Sequence, residues 1–383
     1  MMQSSQFDIC IVGLKCYDLL VDKPVPKYLG GIERILVAFA RTLSSAGVRV
    51  AFITFDEGQG QITEANGITI FKAHNAESGF PLVRLVHPRM TAIWRRIKRI
   101  NAPVCLQMGA GVETLAAAIG AWWVGKNRTK FFFFTASNMD CESSPSFMAT
   151  LHEKILYRLA LKIVDAVVCQ TQTQAQMMKK NYGLDSTVIP MPSEAPEAET
   201  SQVEVVHRTP KGFNLLWVGR TVKVKRLEWF LDIAEMLPEA TLHIVGSANR
   251  SSEDSIEQLE RAKSISNVIV HGRISDQELF ALYQDAFALC CTSIVEGFPT
   301  TFLEAWKIGL PVITTFDPDD IILKSGAGRV VASPEEFVFN LNKLRDDKPM
   351  YDNISKISLN LYKERFSPSV IIKKYLQLFN INR

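Results

Sequence analysis

Short apolar runs alternate with helical hydrophobic patterns along the chain of 383 residues. This alternation is typical of βαβ units, in which helices cover a sheet of parallel strands. It predicts an α/β protein with two Rossmann-like halves, six strands in the first and five in the second. The predicted strands are Asp8–Gly13, Val48–Phe55, Ile68–Lys72, Val104–Met108, Lys130–Thr135, Ala166–Gln170, Phe213–Val218, Thr241–Val245, Val268–Val270, Ala288–Thr292 and Val312–Thr314.

A segment rich in Pro, Glu, Ser and Thr separates the two halves. We place the first domain at residues 1–190, the linker at 191–210 and the second domain at 211–362, and a chain of this length accommodates two domains. Residues 363–383, with a helical pattern over Pro368–Phe379, are predicted to pack back on the first domain. Since α/β proteins bind ligands at the carboxyl ends of their strands, we expect a cleft between the domains.

The positive charge of the chain is concentrated in one block. The whole chain is +3, whereas residues 78–139 are +8 and the remainder is therefore −5. Met90–Ile100 is basic and amphipathic, so it is either an ordinary helix packed on the sheet or a contact with an anionic membrane, through residues 84–99 and 122–130. The tryptophans at 122 and 123 favour the membrane slightly. We do not expect nucleic acid as a partner, because the basic block is accompanied by neither a DNA-reading helix nor an aromatic motif for stacking on bases.

The cysteines and the N-terminus indicate a reducing compartment. Seven cysteines, with no C-x-x-C pair, are predicted to be buried free thiols. The first apolar stretch is short and lacks a basic n-region, so a signal peptide is not expected. The apolar segment 101–125 contains Pro103, Gly109 and Gly111, which predict a buried strand and helix instead of a membrane span. We expect a cytoplasmic protein, peripheral on the inner face of the membrane.

The sharpest functional signal is the run EGFPTTFLEAWKIGLP, which follows the predicted strand Ala288–Thr292. A strand, a Gly-Pro loop and a helix start place free backbone N–H groups and a positive helix end together, which makes an anion site. Glu296 and Glu304, with seven residues between them, suit hydroxyl groups on two parts of one ligand. For two glutamates alone, a helix cap and a solvated side chain would be the commoner explanation.

Two cations follow the first strand of the second half. Gly219–Arg220 ends that strand and Lys225 follows five residues later. The guanidinium fork and the lysine point charge suit a diphosphate, although a basic loop taken alone is more often a solvated turn. Gly246 and Gly272 end two further strands, and Gly30–Gly31 opens a helix in the first half. Glycine at such positions lets the backbone turn tightly or approach a ligand.

Four blocks of the sequence form one recognisable set. They are GGIERILVAFARTLSSAGVRV, LLWVGRTVKVKR, NVIVHGRISDQELFALYQDA and EGFPTTFLEAWKIGLPVI. In this order and spacing they resemble the retaining GT-B glycosyltransferases of family 4, most strongly over residues 211–315. The resemblance implies two Rossmann-like domains and an enzyme of cell-surface glycan biosynthesis. Such an enzyme would transfer a sugar from a UDP- or GDP-sugar donor to a lipid-linked or polysaccharide acceptor.

The resemblance also implies roles for individual residues. Arg220 and Lys225 would neutralise the donor diphosphate and stabilise the leaving nucleotide. Glu296 would contact hydroxyl groups of the sugar, and Glu304 those of the ribose. The remaining implied donor-binding positions are Gly31, Gly219, Gly246, Gly272, Ile274, Gly297, Phe298, Pro299, Thr300 and Thr301. Ile274 would lie against the base, and the loop after Glu296 would offer backbone N–H groups.

Three features complicate the resemblance. The family commonly has a histidine in the loops after the middle strands of the first domain; here Asn138 or Asp140 takes that place, and we count Asp140 as a catalytic candidate. The usual glycine after Lys225 is Arg226, which either adds charge near the donor or points to solvent. Residues 317–320 contain a D-x-D, the metal motif of another glycosyltransferase fold. A helix-capping turn explains it better, and we expect no metal or cofactor.

Two other functions are consistent with the same sequence. A sugar-nucleotide epimerase of the same architecture would need carboxylates and histidines clustered at the site, and only His271 adjoins a motif glycine. A non-catalytic subunit that binds nucleotide sugars is the second alternative, because the usual histidine is missing.

Overall fold

The computed structural model describes residues 6–24, 26–28, 30–79, 85–124, 129–146, 148, 150–192, 212–246 and 253–381. Nearly all of the predicted linker lies outside these ranges, as do Arg84, Lys126 and Arg128 of the basic block. The chain forms two compact units: Met1–Ser193 together with Pro368–Arg383, and Glu194–Ser367.

The first unit is built on one sheet with helices on its faces. Its described strands are β1 (Ile9–Val12), β2 (Val50–Thr54), β3 (Ile62–Ala65), β4 (Ile68–Lys72), β5 (Val104–Met108), β6 (Lys130–Phe134), β7 (Ala166–Cys169) and β8 (Ser186–Val188). Their order is β3-β4-β2-β1-β5-β6-β7-β8, and only β3 pairs antiparallel among these described strands. The helices are α1 (Tyr17–Leu20), α2 (Gly31–Ser45), α3 (Thr91–Ile100), α4 (Val112–Trp122), α5 (Leu151–Lys162) and α6 (Gln172–Tyr182).

The second unit contains a fully parallel sheet in its described part. Its strands are β9 (Asn214–Val218), β10 (Thr241–Val245), β11 (Val268–Gly272), β12 (Ala288–Cys291), β13 (Val312–Thr314) and β14 (Gly328–Val330), in the order β11-β10-β9-β12-β13-β14. Its helices are α7 (Leu227–Met236), α8 (Glu253–Ser264), α9 (Asp276–Asp285), α10 (Thr300–Lys307), α11 (Ile321–Ser325), α12 (Pro334–Asp346) and α13 (Lys348–Leu361).

The last helix, α14 (Pro368–Phe379), belongs to the first unit. Its Tyr375 hydroxyl donates to the carbonyl of Ile189 at 3.1 Å, and its ring centroid lies 4.6 Å from that of Phe39. The second unit extends to Ser367, beyond the boundary predicted at residue 362. The reason is Phe366, whose ring packs 5.8 Å from that of Trp306 in the core of the second unit.

All eleven predicted strands are present, because buried parallel strands are continuous apolar runs. The central strand β1 has all four of its residues buried. The apolar segment 101–125 forms β5 and α4, as predicted. No helix of the described residues is long and apolar enough to cross a bilayer. All seven cysteines are buried free thiols, which confirms the prediction.

Helix ends follow the local chemistry of the sequence. The Thr150 and Ser275 hydroxyls accept the N–H groups of residues 153 and 278, at 3.4 and 3.3 Å, which starts α5 and α9. Helix α6 stops at Gly183, whose φ of 71° is left-handed. The capping turn predicted at Asp317 is confirmed, since its carboxylate accepts from the backbone of Ile322 at 2.9 Å.

Candidate active site

The second sheet changes direction between β9 and β12. From β9 the chain adds β10 and β11 on one side, then crosses back to β12, β13 and β14 on the other. The segments that follow β9 and β12 are therefore neighbours at the carboxyl edge, although they are distant in sequence. Such a switch point is where open α/β sheets bind ligands.

Two of the predicted site residues meet at this switch point. The Lys225 ammonium forms an ion pair with Oε1 of Glu296, and the two side chains are 24% and 16% exposed. The Ser293 hydroxyl donates to the same carboxylate oxygen at 2.6 Å. A partly buried pair of this kind holds both groups in place, because separating them would leave a poorly solvated charge.

A buried hydrogen-bond network fixes the backbone around this ion pair. The Trp217 indole donates to the Thr292 hydroxyl at 3.1 Å, and that hydroxyl donates to the carbonyl of Lys225 at 2.6 Å. The N–H of Ile294 donates to the carbonyl of Val224 at 2.8 Å. The loop after β9 is thereby attached directly to the end of β12.

Arg226 does not point to solvent, which is one of the two arrangements predicted for it. Its Nε donates to the carbonyl of Thr292 at 2.7 Å, and its guanidinium lies 3.7 Å from the ring centroid of Trp229. The side chain therefore braces the loop. Its backbone φ of 46° is left-handed, which gives a physical reason for a glycine at this position in the family that the sequence resembles.

The start of α10 supplies the backbone donors predicted for an anion. The first N–H bonded within this turn is that of Phe302, which donates to the carbonyl of Pro299 at 3.1 Å. The N–H groups of Thr300 and Thr301 precede it, at the positive end of the helix dipole. Gly297 is buried in the preceding loop. Arg220, directly after β9 and Gly219, is exposed.

The side chain of Phe298 is packed inside the second unit, whereas the prediction for this position concerns its backbone N–H group. It is only 8% exposed, and its ring packs 5.2 Å from Phe366 and 6.4 Å from Trp306. Phe298 thus anchors the loop in the core of the second unit, and only its backbone remains available for a ligand.

Glu304 is held by a residue that the sequence analysis did not identify. The Tyr283 hydroxyl, on α9, donates to Oε2 of Glu304 at 2.6 Å. Tyr283 is 2% exposed, so its phenol is fixed by packing. Ile274, the predicted contact for the base, is half-buried just before α9 begins. The tyrosine lies within the quoted block NVIVHGRISDQELFALYQDA, but its partner is 21 residues away in sequence and is identified only by the three-dimensional structure.

Three glycines at the carboxyl edge interlock through their backbones. The N–H of Gly246 donates to the carbonyl of Gly272 at 2.9 Å, and that of Gly219 donates to the carbonyl of Val245 at 3.0 Å. Gly246 has a φ of 150°, and a Cβ there would lie 1.8 Å from the carbonyl oxygen of Gly219. No other residue fits at Gly246 without moving that backbone.

Asp140, a predicted catalytic residue, has a different role in the structure. Its carboxylate is 4% exposed and accepts the N–H groups of Ala110, Ala136 and Ser137, at 3.2, 2.6 and 3.1 Å. Burial raises the pKa of Asp140 despite these three donors. The carboxylate joins the loops after β5 and β6, so the structure gives Asp140 a structural role in place of the expected catalytic one.

Gly31 opens α2 in the first unit, as expected from the sequence. A Cβ at this glycine would meet nothing within 4 Å. The space in front of the first turn of this helix is therefore open, and close backbone approach by a ligand is sterically allowed.

His74 is a buried histidine at the carboxyl edge of the first sheet that the sequence analysis overlooked. It follows β4, is 7% exposed, and its ring lies 5.2 Å from that of Phe55. Burial, followed by the positive charge of Arg89, lowers the pKa of His74 to about 4. The imidazole is therefore neutral at physiological pH.

The low pKa of His74 predicts a loss of stability in acid. Below pH 6.5, the ordinary histidine value, the unfolded chain takes up a proton that the folded chain does not accept until about pH 4. Between pH 7 and about pH 5 this difference should remove about 2 kcal/mol from the free energy of unfolding. Urea titrations at several pH values should show a flatter pH dependence of the free energy of unfolding for His74→Phe than for wild type. Equal slopes for His74→Phe and wild type would contradict the assignment.

Comparison with known proteins gives two family matches. The model described as "Glycosyl transferases group 1" matches residues 212–347, and the one described as "Glycosyltransferase Family 4" matches residues 29–192. Mannosylfructose-phosphate synthase of Agrobacterium fabrum is 26% identical over 59% of this chain and 54% of its own length. The O-antigen biosynthesis glycosyltransferase WbnH of Escherichia coli is 23% identical over 57% of this chain and 59% of its own. The chain thus spans little more than half the length of these relatives.

Two solved structures match almost the full length of the chain. Sucrose-phosphate synthase from Thermosynechococcus elongatus has a TM-score of 0.75 at 15% identity, covering 97% of this chain and 98% of its own. Anabaena HepE, solved in complex with UDP and glucose, has a TM-score of 0.74 at 16% identity, covering 98% and 99%. At these identities the likeness is one of fold.

Proposed function

This chain belongs to glycosyltransferase family 4 and has the GT-B fold, and we propose that it transfers a sugar from a UDP- or GDP-sugar to a lipid-linked or polysaccharide acceptor. The observation that carries the proposal is the cluster after β9 and β12, where Lys225, Glu296 and the start of α10 lie together. A cation, a carboxylate and a helix N-terminus are complementary to a diphosphate joined to a hydroxyl-rich sugar.

In this proposal the donor diphosphate is bound by Lys225, Arg220 and the N–H groups at the start of α10. As the bond from the anomeric carbon to the phosphate oxygen breaks, negative charge grows on the nucleotide diphosphate. Fixed positive groups stabilise that charge more in the transition state than in the bound donor, which is the condition for catalysis. Because these groups carry the charge compensation, we expect activity without a metal ion, tested by adding a chelator.

The carboxylates orient the rest of the donor. Glu296, already fixed by Lys225 and Ser293, would accept hydroxyl groups of the sugar, and Glu304 would accept those of the ribose. We propose that the acceptor attacks on the face from which the nucleotide departs. The reaction then retains the anomeric configuration without a protein nucleophile. The acceptor hydroxyl loses a proton as it attacks, and the departing phosphate oxygen can accept it.

Cell-surface glycan synthesis is proposed from the relatives. WbnH is named for O-antigen biosynthesis, and such a role would supply a lipid-linked or polysaccharide acceptor, which we assign to the first unit. A membrane-bound acceptor agrees with the basic block of that unit. We therefore propose that the protein is cytoplasmic and works at the membrane surface.

Tyr283→Phe should weaken donor binding. Loss of one hydrogen bond to a carboxylate costs about 1.5–3 kcal/mol, so the donor KM should rise about tenfold while kcat changes little. Steady-state kinetics over a range of donor concentrations measures this split. Tyr351→Phe is the matched control, because its buried hydroxyl donates to the backbone carbonyl of Phe287 at 2.9 Å. An equal rise in KM in both variants would contradict a positioning role for Tyr283.

Incubation with labelled UDP- and GDP-sugars tests the proposed activity. Transfer of label to an acceptor, or slow donor hydrolysis, supports a transferase, and nuclear magnetic resonance of the product reports its anomeric configuration. An epimerised donor would instead identify an epimerase. Tight binding without turnover would identify a nucleotide-sugar-binding subunit.

A further inference from the structure

The outer face of α5 carries an exposed apolar stripe. Leu151, Ile155 and Leu159 are 74%, 48% and 44% exposed. They are spaced by four residues and therefore share one face of the helix. The opposite face packs on the sheet through Tyr157, Ala160 and Leu161. The helix is thus apolar on two faces, whereas a surface helix normally has one such face.

Basic side chains accompany this stripe. Lys154, Arg158 and Lys162 lie on the same helix, and its acidic residue, Glu153, is in the first turn. The Glu153 carboxylate accepts the N–H of Thr150 at 3.1 Å, so it serves as a helix cap. The remainder of α5 is positively charged.

Helix α4 extends the same surface towards α3. It contacts both α3 and α5, and its C-terminal end presents Trp122 and Trp123, which are 61% and 65% exposed. The ring of Trp123 meets that of Trp94 on α3 at 5.7 Å. The exposed cations Lys98 and Arg99 lie in the last turn of α3.

The charge along these three helices is asymmetric. The described acids, Glu113 and Glu153, are both in first turns, and α3 has none there. The C-terminal halves of all three helices therefore lack acids: α3 and α5 carry cations there, and α4 ends in the exposed Trp122. Helix dipoles favour cations at C-terminal ends, but they give no reason for exposed tryptophan, leucine and isoleucine.

The apolar face of α3 itself is unavailable to lipid. Ile93, Ile97 and Ile100 are at most 3% exposed, and Arg96 donates to the carbonyl of Lys72 at 2.6 Å. The interpretation of this helix as one packed on the sheet is therefore correct. Helix α3 can contribute charge to a membrane contact, but any apolar insertion must come from elsewhere.

We propose that α5 is the membrane-inserting element of this protein. The helix lies along an anionic bilayer with Leu151, Ile155 and Leu159 in the boundary between headgroups and acyl chains. Trp122 and Trp123 lie beside it at the same boundary, and the cations contact lipid phosphates. A second copy of the chain is disfavoured as the occupant, because it would bring two surfaces with the same excess of cations together. The inference rests on the proposed function and specifies its membrane surface.

Vesicle sedimentation with the full chain tests this surface. Wild type should bind vesicles containing one third phosphatidylglycerol and bind pure phosphatidylcholine vesicles at least about tenfold more weakly. Leu151→Ser/Ile155→Ser/Leu159→Ser should lower the partition coefficient on the anionic vesicles at least about tenfold. The matched control is Leu323→Ser/Phe339→Ser, two side chains of the second unit that are each 66% exposed, which should bind as wild type does. Circular dichroism checks that all variants are folded.

Three results would overturn the proposal. One is equal vesicle binding by the triple variant and wild type, and another is no binding by wild type at all. The third is a dimer in gel filtration that the triple variant converts to a monomer, since the stripe would then be an interface between copies. Donor hydrolysis without vesicles separates this test from the proposed function. The triple variant should hydrolyse donor normally, whereas Glu304→Ala should bind vesicles normally and lose hydrolysis.

Discussion

Alanine at either Lys225 or Glu304 should lower sugar transfer by at least about tenfold. Lys225 is a partly buried cation, 24% exposed. Removal of one fixed group that stabilises transition-state charge in a site closed to water costs about 2.7–4 kcal/mol, so tenfold is a lower bound for Lys225→Ala. The Glu304 carboxylate accepts the Tyr283 hydroxyl at 2.6 Å and is thereby held in place. Glu304→Ala would remove the proposed contacts with the ribose hydroxyl groups. Initial rates with labelled donor measure the effect in each variant.

Matched substitutions separate this effect from general damage. Lys223 lies in the same short turn as Lys225 but its side chain is exposed, so Lys223→Ala should transfer sugar as wild type does. Lys225→Ala also leaves Glu296 without its ion-pair partner, and thermal unfolding should therefore be recorded for both variants. Near-normal transfer in both Lys225→Ala and Glu304→Ala would refute the assigned site.

Gly246→Ala should destabilise the second unit by about 2–5 kcal/mol. Its φ of 150° is unfavourable for any residue with a Cβ, and that Cβ would lie 1.8 Å from the carbonyl oxygen of Gly219. The magnitude combines backbone strain with overpacking against a rigid backbone. Because Gly219 begins the loop that carries Lys225, donor affinity should fall as well. Urea unfolding and donor titration measure the two effects.

Gly219→Ala is the control for this prediction. The nearest atom to a Cβ at Gly219 would be 3.4 Å away, on the ring of Trp217, which is an ordinary contact. Its free energy of unfolding should change by less than about 0.5 kcal/mol. Equal free energies of unfolding for Gly246→Ala and Gly219→Ala would contradict the claim that the backbone at Gly246 leaves no room for a Cβ.

The central strands could be predicted from sequence because burial on both faces makes them continuous apolar runs. The three strands that were missed lie at or next to sheet edges and are short. β3 and β4 are joined by Asn66–Gly67, both with positive φ, and Asn-Gly between two strand-like runs is a strong hairpin signal. That signal could have located β3, whereas β8 and β14 have only three residues each.

Site residues could be predicted where a short stretch of sequence shows both the residue type and the strand or helix end at which it lies. A cation after β9 and glutamates around α10 are recognisable from their strand and helix context. The pairing of Lys225 with Glu296 is not, because it depends on β9 and β12 being adjacent in the sheet. Asp140 was misassigned for a similar reason, since its three N–H donors come from two loops. The position of the Arg226 side chain depends on the left-handed backbone of that residue. An arginine in the sequence gives no signal of such a backbone conformation.

Calorimetric titration with UDP and with GDP tests the central claim most directly. We expect saturable binding of one of the two nucleotides to wild type and to Lys223→Ala. The same nucleotide should bind Lys225→Ala at least about tenfold more weakly. Absence of binding by both nucleotides, or equal affinity in all three proteins, would contradict a nucleotide-sugar site after β9 and β12.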